Sequence, residues 1–444
     1  MATNKSKTKV VIVGGGFAGL AAARALSSQN VEITLFDRKN HHTFQPLLYQ
    51  VATATLAPSD IAQPIRSILS DHKNIEVVMD NVIAFDKAAK CVKTQTGISI
   101  GYDYLIVATG ASHSYFGNEH WERFAPGLKS IEDALHIRSR ILSAFEIAER
   151  QMLESGEHQP LNFIVIGAGP TGVELAGAIA DTCNIYLCRD FHLIKTCQSK
   201  VFLLEAADRI LLPYPEELAK SAARQLQQIG VQIMLGTKVT DIQNGLVVTD
   251  KGTFHSSATV WAAGVQASAL SQAINTSYGA ALDKRGCVVV DQYLNAAGQS
   301  EVFIIGDLAH KEQNGKPLPG VAQAALQMGA YIGKTISADL AGQARKPFVY
   351  IDRGDLATIG RARAVANIKW PFKAQLSGAF AWISWLIIHI FFLIGLRNRL
   401  FVFVSWLWTF FSRRRGVQLI TMTGTEEGTG AQKPDALQGI THRD

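Results

Sequence analysis

Val10-Val11-Ile12-Val13-Gly14-Gly15-Gly16-Phe17-Ala18-Gly19 and, further along, Phe163-Ile164-Val165-Ile166-Gly167-Ala168-Gly169-Pro170-Thr171-Gly172 decide the fold. Each is a continuous β-branched run, the mark of a strand buried on both faces of a parallel sheet. Each run passes into Gly-x-Gly-x-x-Gly and then into a sequence rich in Ala and Leu, which reads as a helix. The glycines let backbone amides approach an anion at a helix N-terminus, where unpaired N–H groups and the helix dipole favour negative charge. A second strand, residues 31–36, ends on Asp37, 18 residues after Gly19. An acid at that place accepts hydrogen bonds from a ribose, so the first unit reads as a dinucleotide site. The second unit ends its strand 201–204 on Glu205, 33 residues after Gly172, so it carries an insert over residues 181–200. No Arg follows Glu205 directly, which favours NADH over NADPH.

Two such units in one chain imply two different nucleotides, one of them a tightly held FAD. FAD needs contacts beyond its own βαβ unit, and two later segments supply them. Residues 102–110 read as a strand ending in the small turn Thr109-Gly110, and residues 301–307 as another ending in Gly306-Asp307. Asp307 suits the ribityl hydroxyls, and equally a helix N-cap. A helix is expected near 216–229 and another from Val321, the latter with Ala324, Ala325, Gly329 and Gly333 for close packing. Residues 129–156 read as a helical crossing between the units.

The 444 residues are 48% hydrophobic and 18% charged, with 37 Gly and 13 Pro, which excludes disordered, collagen-like and coiled-coil chains. Five Cys exclude a disulfide scaffold. Cys183, Cys188 and Cys197 in the insert have spacings that match no metal or redox motif, so no metal is expected. The net charge is +6, but residues 356–416 hold nine Arg and Lys and no acid, while residues 1–355 sum to −1. Five of the seven Trp lie in the same block: Trp370, Trp382, Trp385, Trp406 and Trp408. Basic and Trp side chains among long aliphatic runs suit an anionic membrane surface rather than nucleic acid.

Residues 374–396 contain no Lys, Arg, Asp or Glu over 23 positions, enough to span a bilayer; residues 400–412 are apolar but too short to return. Two helices lying in the interface, broken at 395–399, account better for the Trp and Arg pairs than one spanning helix does. No signal-peptide pattern precedes the first strand, which predicts the cytoplasmic face of the inner membrane, and residues 416–444 read as a disordered tail.

Residues 37–53, Asp37-Arg38-Lys39-Asn40-His41-His42-Thr43-Phe44-Gln45-Pro46-Leu47-Leu48-Tyr49-Gln50-Val51-Ala52-Thr53, resemble a segment specific to the type II, non-proton-pumping NADH:quinone oxidoreductases. Gly169-Pro170-Thr171-Gly172-Val173-Glu174, Trp261-Ala262-Ala263-Gly264-Val265, residues 322–327 and Gly395-Leu396-Arg397-Asn398-Arg399 are similar to the same family, over about residues 9–415. The resemblance implies an α/β fold of two Rossmann-like dinucleotide-binding domains, glutathione-reductase-like, plus a C-terminal membrane-anchoring helical domain. Its divisions would be 1–125 and 287–345 for FAD, 126–286 for NADH, and 346–415 for the anchor.

It implies one non-covalent FAD on Gly14, Gly16, Phe17, Ala18, Gly19, Asp37, Arg38, Val82, Thr109, Gly110, Gly306, Asp307, Ala322 and Gln323. NADH would lie on Gly167, Gly169, Gly172, Glu174, Glu205, Ala263 and Gly264. Gln323 and Gln327, four apart on one helix face, would orient a membrane quinone (ubiquinone or menaquinone), and Glu174 would assist its protonation. The partners implied are that quinone, an anionic lipid surface and a second copy of the chain. The alternatives are a soluble flavin-dependent reductase of a protein acceptor, which has no use for residues 374–412, and a sulfide:quinone oxidoreductase. The latter, like the disulfide reductases, needs Cys beside the flavin, and residues 38–90 hold none.

Overall fold

The computed structural model describes residues 7–157, 160–296 and 298–421. In chain order, the elements that position the site begin with β1 (Thr8–Val13), α1 (Phe17–Leu26), β2 (Val31–Asp37), α2 (Leu48–Ala52), β3 (Ile75–Met79) and β4 (Tyr104–Val107). Then follow α3 (Ile131–Ser155), β5 (Asn162–Ile166), α4 (Pro170–Asp181), β6 (Lys200–Leu204), α5 (Glu216–Gln228), β7 (Val231–Met234) and β8 (Ala258–Trp261). The chain continues through β9 (Val302–Ile304), α6 (Ala322–Leu340), β10 (Gly354–Gly360), β11 (Arg363–Ile368), β12 (Ala374–Ser377), α7 (Ala379–Phe392) and α8 (Leu396–Ser412).

The first sheet is parallel, in the order β9-β4-β1-β2-β3. The run Val10–Val13 lies inside it, each residue at most 4% exposed, which is why it is unbroken by polar residues. Helices α1 and α6 pack on one another through the small residues the sequence points to. A Cβ on Gly329 would stand 2.2 Å from the Ala18 carbonyl oxygen, and one on Gly333 2.2 Å from Ala25 Cβ. The second sheet, β7-β6-β5-β8, is parallel too. The crossing helix α3 is held at its start by a capping box of Ser130 with Asp133 and stops at Gly156 in the left-handed region.

The C-terminal block departs from expectation. Residues 374–396 are not one helix: Ala374–Ser377 is the edge of an antiparallel sheet β10-β11-β12, its backbone paired with Val365–Ile368. Gly378, at φ 71°, turns the chain into α7. The spanning alternative therefore falls, and no described helix is long and apolar enough to cross a membrane. The break also sits earlier than expected, at residues 393–395; residues 396–399 form the first turn of α8. Most of the predicted disordered tail, residues 422–444, lies outside the described residues.

Candidate functional site

The two glycine units repeat one another bond for bond. Gly15 N–H donates to one Asp37 carboxylate oxygen (2.6 Å) and Lys39 N–H to the other (2.7 Å). Ala168 N–H and Ala207 N–H do the same for Glu205 (2.6 and 2.9 Å). In each unit the amide of the first glycine closes onto the strand beside it, Gly14 on Phe36 O and Gly167 on Leu204 O. The third glycine admits the helix to that turn: a Cβ on Gly19 or on Gly172 would lie 1.8 Å from the carbonyl oxygen of Gly14 or Gly167. Gly16 and Gly169 face open space. The cradle in front of each helix N-terminus, with an acid fixed beside it, fits a dinucleotide in both units.

A ribbon joins the carboxyl ends of the two sheets, where Ala111–His113 pairs antiparallel with Val265–Ala267. Thr109 Oγ1 bonds Ser268 Oγ (2.6 Å), and Gly264, at φ 78°, leaves no room for a side chain against Phe116. Ala263 is packed under Gly167 and Gly110 stays open at φ 70°. Asp307 sits in the short turn Gly306–Leu308 after β9, its carboxyl against Gly320, and is not the cap of α6, whose N-cap is Val321. Gly306 N–H faces Met328 Sδ (3.2 Å). Phe17 packs edge-on against His42 and Phe44, Ala18 is buried beneath Gly306, and Arg38 is exposed. Val82 points into the apolar cluster that holds Phe36 and Phe85.

Ala322 is the first residue of α6, and Gln323 and Gln327 lie one turn apart on it. Both amides are engaged by backbone. Gln323 accepts from Arg353 N–H (3.1 Å) and donates to Gly354 O (2.9 Å). Gln327 accepts from Ile351 N–H (2.9 Å) and donates to Ile351 O (2.9 Å). The pair thus fastens residues 351–354, which lead into β10, along the helix that starts at the first cradle.

Glu174 stands on α4 and accepts from Thr358 N–H (3.3 Å). Burial pushes its carboxyl up to about 8. It lines a cavity of about 90 Å³ with Tyr49, Gln50, Asp181, Trp385, Trp406 and Arg415. A hydrogen-bonded chain runs through the wall: Trp406 Nε1 to Gln50 Oε1 (2.7 Å), Gln50 Nε2 to Tyr49 OH (3.0 Å), and Tyr49 OH to Thr358 Oγ1 (2.8 Å). Aromatic contacts connect the first cradle to the same helices, from Phe17 through Phe44 to His389 and on to Trp385 and Trp406. Sequence reading missed all of these partners of Glu174. The signal that could have found one is the Glu174–Asp181 spacing of seven, which repeats one helix face. The cysteines of the insert are all free: Cys183 is buried, its thiol pushed up to about 12, while Cys188 and Cys197 are exposed.

His42, 4% exposed, is held down at about 4 by burial, with Gly15 O near its Nδ1. A folded-state value below that of the free side chain means protons bind the unfolded chain better. Its contribution is therefore complete above about pH 6.5 and is lost as pH falls towards 4, about 3 kcal/mol in all. Urea unfolding at pH 7 and pH 5 should show that acid limb, and His42→Gln should make it shallower, with buried His389, also held down at about 4, keeping its own share.

Residues 8–329 match the pyridine nucleotide-disulphide oxidoreductase family and residues 353–415 the NDH2 C-terminal domain. The type II NADH:quinone oxidoreductase Ndh of Mycobacterium tuberculosis (strain ATCC 25618 / H37Rv) is 44% identical over 93% of this chain and 90% of its own. The type II NADH:quinone oxidoreductase of Staphylococcus aureus (strain NCTC 8325 / PS 47) is 31% identical over 82% and 90%. The structure of NDH2 from Plasmodium falciparum in complex with NADH superposes with a TM-score of 0.80, at 18% identity, over 91% of this chain and 98% of that one. Fold and paired cradles thus define a pyridine-nucleotide oxidoreductase of the two-dinucleotide-domain class. Within that class, the chain belongs to the type II NADH:quinone oxidoreductases.

Proposed function

We propose that the protein oxidises NADH through one non-covalent FAD and reduces a membrane quinone without moving protons across the membrane. The observation that carries this is the repeated acid–glycine bonding of Asp37 and Glu205, with the two cradles joined at the Ala111–His113 ribbon. A flavin held in the first cradle by the glycine turn and Asp37 would supply the redox chemistry, hydride acceptance and two-electron transfer.

The protein's own groups bind and orient. Asp37 and Glu205 keep lone pairs for ribose hydroxyls, Thr109, Gly110, Gly306 and Asp307 close the flavin side, and Ala263 and Gly264 the nicotinamide side. Gln323 and Gln327, by holding residues 351–354, shape the place where a quinone meets the first cradle. Glu174, near 8, is largely protonated at neutral pH and is the acid available to the quinone oxygen. The parts assigned to FAD are residues 1–125 and 287–345, to NADH 126–286 and to the membrane 346–415.

Helices α7 and α8, of 14 and 17 residues, rise about 21 and 25 Å, short of a 30 Å hydrocarbon core. Phe380, Ile383, Ile387 and Phe391 on α7 and Leu400, Val404, Trp408 and Phe411 on α8 are exposed. With Arg397, Arg399, Arg413 and Arg414 nearby, they support a monotopic seat on anionic lipid at the cytoplasmic face. Pairing with a second copy follows from the family resemblance.

The test is NADH oxidation with a short-chain quinone. Glu205→Ala should raise the KM for NADH about tenfold or more with kcat little changed, the loss of a charged hydrogen-bond acceptor used equally in binding and reaction. Gln323→Ala should raise the quinone KM several-fold while NADH still bleaches the flavin at the wild-type rate. Unchanged quinone kinetics in Gln323→Ala would remove the glutamines from the quinone site.

A further inference from the structure

NADH gives up two electrons and one proton as a hydride, whereas the quinol carries two protons. One proton per turnover must therefore be drawn from water into a place covered by α7, α8 and the small antiparallel sheet. We infer that Asp181 and the cavity it shares with Glu174 form the route by which that proton is taken up. The inference rests on NADH-to-quinone transfer as the reaction.

Glu174, Ala178 and Asp181 all line the cavity and stand at i, i+4 and i+7 on α4, one stripe along the helix. Seven residues separate the two carboxyls by about 10.5 Å along the axis, a gap of about three water molecules. A cavity of about 90 Å³ has room for them. The small side chain of Ala178 leaves the floor between the acids low. Gly177 lets α4 lie hard against β10, since a Cβ there would meet Ile359 O at 1.7 Å, so the cavity is walled on that side by backbone. Two buried donors on its lining residues, Arg361 Nε and Arg415 Nε, have no hydrogen-bond partner among the described residues, which is what an interior furnished with water requires.

The surroundings divide the work between the acids. Glu174 faces Tyr49, Tyr214, Trp385 and the Thr358 amide, and burial among them keeps it protonated at neutral pH. Asp181 accepts from Arg361 N–H (2.8 Å) and is faced by Arg361, Arg363, Arg415, Tyr186 and Cys183. Burial still raises its carboxyl above the ordinary range despite three arginines. Arg415 is anchored by Thr53 O and the Thr182 hydroxyl and stacked 4.0 Å over Tyr186, so it holds its place beside the acid. A proton collected at Asp181 passes along the water file to Glu174, which replaces the one it has donated; no electrons move in this step.

The experiment uses the full-length flavoprotein with NADH and a short-chain quinone. Asp181→Asn keeps an oxygen for Arg361 N–H but cannot carry a proton. Anaerobic bleaching by NADH should be unchanged, while kcat with quinone falls about tenfold, the solvent isotope effect on kcat rises, and the pH profile moves. Asp181→Glu should recover most of the rate. Ala178→Val, which plugs the file without touching either acid, should produce the same isotope effect, and it decides the matter if Asp181→Asn loses flavin on purification. Infrared difference spectra on reduction should lose a carboxyl band in Asp181→Asn. Wild-type kcat, pH profile and isotope effect in either variant overturn the relay. So does a raised quinone KM with an unchanged isotope effect, which would assign the cavity to the quinone ring. Failure of the wild-type protein to be bleached by NADH, or to reoxidise with quinone, strikes instead at the reaction itself.

Discussion

Gly19→Ala is expected to yield a colourless protein, with flavin content reduced at least tenfold. The added methyl would lie 1.8 Å from the Gly14 carbonyl oxygen, and the obstacle is backbone in the turn that forms the cradle. No rotamer change relieves such a clash, so α1 must lift off β1, costing about 1–3 kcal/mol or more and moving the helix N-terminus from its anion. The twin substitution separates the two sites. Gly172→Ala meets the Gly167 carbonyl oxygen at the same 1.8 Å, yet should leave the protein yellow and slow to bleach, with the KM for NADH raised about a hundredfold. Flavin absorbance and NADH titration check both. A yellow Gly19→Ala protein of wild-type activity would refute the assignment of the first cradle.

Glu174→Gln should lower the quinone-dependent rate by about a hundredfold while leaving flavin reduction by NADH intact, the range expected when a positioned acid is removed. With the carboxyl near 8, the wild-type rate should decline as pH rises through that value and the acid form disappears. The Gln variant should be flat there. Stability should move the other way. A carboxyl whose folded value is raised from 4.5 to about 8 carries a contribution present in full below 4.5 and lost as pH climbs towards 8. Removing it should therefore stabilise the protein at pH 7 by on the order of 3 kcal/mol, visible as a raised Tm that vanishes near pH 4. A variant that is slower and less stable at pH 7 would mean the carboxylate is a structural acceptor for Thr358 N–H.

Where a backbone requirement dictates the residue type, the reading from residues alone agrees with the structure. The tight turns at Gly14 and Gly167, the acids Asp37 and Glu205 and the small-residue face of α6 each have a backbone reason that shows in residue type. The C-terminal block hid more. Ala374–Ser377 read as the start of an apolar helix because composition carries no trace of the partner strand 365–368, and pairing with that strand overrides helix propensity. The surroundings of Glu174 were illegible for a similar reason. Thr358 lies 184 residues from it, and Tyr49 lies 309 from Thr358, so only the fold unites them. Gln323 and Gln327 sit on one face as their spacing requires. That each would grip the main chain of residues 351–354 depends on where an extended segment runs, which side-chain chemistry does not report.

Strand β9, at Val302–Ile304, pairs with β4, and α6 packs against α1, so the first sheet is completed by chain that follows the whole second unit. During synthesis the ribosome therefore delivers β5 to β8 while β1 to β4 still wait for their edge. The pyridine-nucleotide half can mature on the nascent chain, whereas flavin loading has to come near the end of translation. A translation product arrested just before Glu301 should bind NADH and remain unpigmented.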